Sequence, residues 1–128
     1  MRIFEQITIV IIIVILVIVL DIVTSKITIN CIEDMDYKID NISNLIDENI
    51  DEANKKAKNI VKDWEKHEKK MNYYLEHDEI EKVTKQVVLL KSQIEVNDIN
   101  YAKQNIAELK FLLEHIEEKP KIKINNIF

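Results

Sequence analysis

None of the 128 residues is glycine, and proline occurs once, at Pro120. Phosphate-cradling loops, dinucleotide fingerprints, the nucleophile elbow and the calcium loop need glycine where the backbone takes positive φ or closely approaches a ligand. All four are therefore excluded. Hairpins in sheets lean on glycine as well, so a sheet-rich fold is disfavoured and an all-α chain is expected.

The second constraint is an apolar run from Ile7 to Leu20, broken only by Thr8 and built almost entirely of Ile and Val. As a helix, residues 3–23 are about 31 Å long, matching the ~30 Å hydrocarbon core of a bilayer. Glu5, Gln6 and Asp21 fall at its edges, where polar groups reach the interface. A cleaved signal peptide fits less well: the run exceeds a typical apolar core of roughly 7 to 15 residues, and Val23-Thr24-Ser25 is a poor cleavage site. Residues 1–25 thus read as an uncleaved transmembrane anchor. Arg2 and the terminal amine lie at the membrane edge while Lys26 and Lys38 are dispersed, which favours a cytoplasmic amino terminus and an extracytoplasmic remainder.

The net charge is −5, which points away from nucleic-acid partners. Cys31 is the only cysteine, so there is no intrachain disulfide framework, as suits an exported protein that does without one.

Beyond the anchor, apolar residues step by threes and fours. Ile32, Met35, Ile39, Ile42 and Ile46 form one set; Ile50, Ala53, Ala57, Ile60, Trp64, His67, Met71 and Tyr74 form the next. Consecutive steps of four join them, which reads as a stutter within one long helix over about 25–75. Asp78 and Glu81 have capping-box spacing before the stripe Ile80, Val83, Val87, Leu90 and Ile94. Asn97-Asp98 can cap a third helix with Ile99, Ala102, Ile106, Leu109, Leu113 and Ile116, which Pro120 should stop. Residues 57–118 therefore read as an antiparallel three-helix bundle, residues 26–56 as a membrane-proximal stalk and residues 119–128 as a tail.

Two helices of ~25 Å and ~31 Å cover only the distal half of so long a first helix. That leaves the stalk stripe Ile32, Met35, Ile39, Ile42, Ile46 and Ile50 without a partner in the chain, so it is the expected interaction surface, for a second copy or another membrane protein. The competing reading is that Asp40 to Asn44 breaks the helix and lets the stalk fold back. Charge is segregated too: residues 31–53 hold eight acids against Lys38, and residues 54–70 hold seven lysines against three acids. A solvated face is the plain reading; an acidic partner for the basic section is the sharper one. In the tail, Ile127 and Phe128 either pack on the bundle end or dock a partner.

No catalytic residues, metal ligands or cofactors are expected. His67, His77 and His115 are preceded three residues earlier by Trp64, Tyr74 and Leu112, so the Glu-x-x-His pattern of di-iron bundles is missing. Trp64 reads as core with its indole N–H at an edge, and Tyr73 and Tyr74 read as packing residues.

The single span, Trp64, His77-Asp78-Glu79-Ile80, Leu89-Leu90-Lys91, Glu108-Leu109-Lys110, Leu113-Glu114-His115-Ile116 and the terminal Asn126-Ile127-Phe128 together resemble a family of small membrane-anchored helical proteins of unknown function from low-GC Gram-positive bacteria. The resemblance implies a cell-membrane location and no assigned activity; such chains are associated with small multi-span membrane proteins. A bitopic accessory or interaction protein is the leading expectation. A division-type coiled-coil scaffold would need unbroken heptads, and a small-ligand sensor bundle would need a cavity with converging polar groups.

Overall fold

A computed structural model describes residues 2–127, and the side chains of residues 2–118. Four helices follow one another: α1 Arg2–Glu48, α2 Ile50–Met71, α3 His77–Glu95 and α4 Ile99–Ile127. No strand occurs among the described residues. The helical class, the long apolar amino-terminal helix and the bundle match the expectation from sequence.

The helix expected to run through residue 75 instead ends at Glu48. Asn49 leaves the helical region (φ −149°, ψ 89°), and its side-chain oxygen accepts from the Glu52 N–H at 3.2 Å. Its own N–H still donates to the Leu45 carbonyl at 2.8 Å, and its carbonyl accepts from Ala53 at 3.0 Å. One residue therefore closes α1 and caps α2, and the chain reverses there. Lys38 meets Asp63 at 3.0 Å and His67 meets Asp34 at 2.7 Å, contacts that only an antiparallel α1–α2 pair allows.

The turn at 72–76 sends α3 back beside α2; α3 starts at His77 without a side-chain cap, so the expected Asp78–Glu81 capping box does not form. At the third reversal Asn97 takes φ 61°. The Asn97 N–H donates to Ile94 and the Asp98 N–H to Gln93, at 3.1 and 2.8 Å. This is a Schellman closure, and asparagine fills the left-handed position that glycine usually holds. α4 does not stop at Pro120 but continues to Ile127. Proline's fixed φ is itself helical, so the loss of one N–H and a local clash need not end the helix.

α1 packs on α2 and α4, and α3 packs on the other side of both. The result is an up–down–up–down four-helix bundle in which the second half of α1 is the fourth helix. Its core holds Ile32, Met35, Ile39, Ile42, Ala53, Ala57, Val83, Val87, Leu90, Ala102, Leu109 and Leu113, all without measurable exposure. Residues 2–20 of α1 project from it, every one exposed. Among the described residues α1 is the one helix long and apolar enough to cross a membrane, and none of its apolar window is buried.

Candidate functional surfaces of the bundle

The stalk stripe does not form an open surface. Ile32, Met35, Ile39 and Ile42 are fully buried, Ile46 is 4% exposed and Ile50 is half-buried. The reversal at Asn49 supplies the partner that a continuous helix would have lacked: α2 and α4 cover the stripe. The other expected docking pair, Ile127 and Phe128, has side chains outside the described residues.

Polar chemistry gathers in the seams between helices. On the α1–α2 seam the Asp34 carboxylate accepts from Lys38 at 2.8 Å and meets His67 Nε2 at 2.7 Å, while Lys38 also reaches Asp63. Burial pushes the Asp34 carboxyl upward, but the hydrogen bonds and charges of Lys38 and His67 outweigh it and hold Asp34 below the usual range. Burial likewise pulls Lys38 down, and its two carboxylate partners more than reverse that. On the α2–α3 seam the indole N–H of Trp64, 1% exposed, donates to the Thr84 hydroxyl at 2.8 Å; that hydroxyl donates to Glu68 at 2.7 Å. Trp64 is thus a core residue with its polar edge satisfied, as its place on the stripe predicted.

Between α3 and α4, the Asn105 amide, 4% exposed, donates to the Gln86 carbonyl and to Gln93 Oε1 at 3.1 and 3.0 Å. Sequence reasoning missed Asn105, because a polar residue on an apolar arc carries no local signal of its burial. His115 lies 3.6 Å from Glu79. No group of three His, Cys, Asp or Glu side chains converges as for a metal ion among the described residues.

At the base of the bundle, next to the apolar segment, Thr28 and Tyr74 share a 2.8 Å hydroxyl contact that ties the α2–α3 turn to α1. Burial raises the Tyr74 phenol, opposed by the Thr28 hydrogen bond. Cys31 is 4% exposed, and burial raises its thiol above the ordinary value against the pull of Lys70. Tyr73 departs from the expectation of packing: it is 92% exposed at the tip of the turn.

Two exterior features stand out. An acidic cleft of about 350 Å³ lies between α1 and α4, lined by Asp36, Glu114, Glu117 and Glu118 with Lys110, which pairs with Asp40. Burial raises the Asp36 carboxyl, and its Oδ1 is buried without a hydrogen-bond partner. On α2, Lys58, Lys62, Lys66 and Lys69 are all exposed. At 100° per residue they fall within an arc of about 80° on the face turned away from the core.

The fold is thus that of a small antiparallel four-helix bundle with an exposed apolar helix extending from one end. The chain belongs to the family described as a domain of unknown function (DUF4363), whose family model matches residues 22–127. That match takes in the whole bundle and leaves most of the apolar segment outside it. No curated protein and no solved structure matches the chain.

Proposed function

We propose that this protein is a single-span membrane protein that acts as an accessory or interaction protein, with its bundle held against the outer face of the cell membrane. The carrying observation is the exposed stretch 3–20, apolar but for Glu5, Gln6 and Thr8, on a helix that continues without a break into the core, where Ser25 and Thr28 are already buried. Exposed apolar surface of that length is costly in water and matches the bilayer's thickness. A signal sequence passes the same test of length and composition, but removal after Ser25 would take away a residue packed in the bundle base.

The reading is non-enzymatic and needs no cofactor. Burial of the stalk stripe moves the contact surface for a second copy, or for another membrane protein, to the bundle's exterior. The coiled-coil scaffold loses support because the heptads fold back on themselves, and the ligand-sensor reading loses support because the clefts found among the described residues are open to solvent.

Alkaline carbonate extraction of cells expressing the full chain, with mass spectrometry of its amino terminus, tests the anchor. Retention in the pellet with residues 1–25 intact is expected; release to the supernatant, or a mature start near Lys26, overturns it. Orientation is read from Lys62→Cys in a Cys31→Ala background, which an impermeant maleimide should label in intact cells. Labelling only after lysis reverses the topology.

A further inference from the structure

We infer that copies of this chain associate side by side and head to tail in the membrane plane, the lysine face of α2 on one copy seating in the α1–α4 acidic cleft of the next. The inference rests on the single-span anchor proposed above. Its basis is charge complementarity together with a match in height.

Lys58, Lys62, Lys66 and Lys69 present four exposed cations over about 16 Å of helix, and no ion pair engages them among the described residues. Glu65 lies at one edge of the face and leaves it strongly cationic. So basic a strip on a chain of net charge −5 points to a local acidic partner. The cleft supplies such a partner on a different side of the same molecule. Asp36, Glu114 and Glu118 line it; Glu114 and Glu118 are exposed, and neither has an ion pair among the described residues.

The two surfaces also stand at one level. On α1, Asp36 lies between Asp34, which meets His67, and Lys38, which meets Asp63. Asp36 is therefore level with residues 63–67 of α2, beside Lys62 and Lys66. Lys110 pairs with Asp40, so Glu114, one turn further along antiparallel α4, returns to the level of Asp36. Copies anchored through the same apolar segment stand at the same height and point the same way. Strip and cleft then face each other across neighbours without any vertical shift.

Because α2 is diagonal to α4 in the bundle, strip and cleft occupy separate faces, and one contact leaves a free strip at one end and a free cleft at the other. The association is heterologous and propagates into rings or files.

The test uses the full chain in its native membrane in a Cys31→Ala background. A chain carrying both Lys66→Cys and Glu114→Cys, treated with a short bis-maleimide, should give a ladder of trimer and larger species; Lys66→Cys alone should give none. Adding Lys62→Glu and Lys69→Glu should abolish the ladder. Combining those changes with Glu118→Lys and Asp40→Ala should restore it, through the reversed charges and the freed Lys110. No link between positions 66 and 114, or a product that stops at dimer, overturns the inference. So does a ladder indifferent to charge reversal. Carbonate extraction of the same samples separates this failure from loss of the anchor, since a chain that stays in the pellet yet gives no ladder contradicts the contact alone.

Discussion

Asp34 Oδ2 and His67 Nε2 lie 2.7 Å apart although 33 positions separate them in the chain. A continuous helix would hold these groups roughly 50 Å apart, so this contact alone reports the reversal at Asn49. Lys38 shares the same carboxylate, giving Asp34 two charge-assisted or polar partners in a half-buried seam. Asp34→Asn keeps the shape and removes the charge, and it should destabilise the full chain in detergent micelles by about 1 kcal/mol in a denaturant titration. The folded-state pKa of Asp34 is depressed, so its contribution is present above the unfolded value of 3.8 and is lost as pH falls through the lower folded value. The difference between Asp34→Asn and the parent should hold from neutral pH to about pH 4 and close below it.

Asp36 titrates in the opposite sense. Its carboxyl is raised by burial, so the charged form costs stability above the folded value, and protonation relieves that cost as pH falls toward 3.8. Asp36→Asn should therefore raise the melting temperature at neutral pH. The gain should vanish in acid, where the Asp36 carboxyl of the parent is protonated in the folded and the unfolded chain alike; a gain that persists at pH 3 contradicts the account.

The two reversals depend on asparagine for different reasons. Asn49→Ala removes the oxygen that caps α2 and should cost about 1 kcal/mol, whereas Asn49→Gly should cost only a few tenths. Asn97 sits at φ 61°, so Asn97→Gly should be neutral or stabilising and Asn97→Val should destabilise by at least about 1 kcal/mol. Equilibrium unfolding of the four variants checks both.

Trp64 is the only tryptophan and is 1% exposed, so intrinsic fluorescence reads the α2–α3 seam directly. Emission should be blue-shifted and resistant to iodide quenching. Trp64→Phe removes the donor to Thr84 and should cost about 1 to 2 kcal/mol, while Trp64→Ala should cost about 3 to 5. A red emission maximum in the folded chain would place Trp64 outside the core.

Much of the core was legible in the spacing of apolar residues. Ile80, Val83, Val87, Leu90 and Ile94 are the buried face of α3, and Ala102, Ile106, Leu109, Leu113 and Ile116 belong to that of α4, as the stripes indicated. The stalk stripe was read on the correct face as well; its partner was what periodicity could not give. A run of fours through Ile42, Ile46 and Ile50 looks the same whether the helix continues or doubles back, because a stripe reports which side is apolar and not where the axis turns. The distinguishing signal was Asn49 with an acid three residues on, the pattern that marks a helix start. Pro120 misleads in the opposite direction, since proline weakens a helix without having to end it, and α4 runs on to Ile127. The acidic cleft was hidden for a further reason: Asp36 and Glu114 are 78 positions apart and share a level only once the reversals are known.

α1 passes from its exposed apolar segment into the core as one uninterrupted helix, with no joint between them. Such a shaft has no swivel. About 37 Å of helix separates Val23 from Glu48, so a tilt of 10° in the apolar segment sweeps the far tip sideways by about 6 Å, and a rotation about its axis turns the four-helix body with it. In the single-span arrangement proposed above, a change of bilayer thickness that alters the lean of α1 would then be transcribed into the bearing of the lysine strip and the acidic cleft.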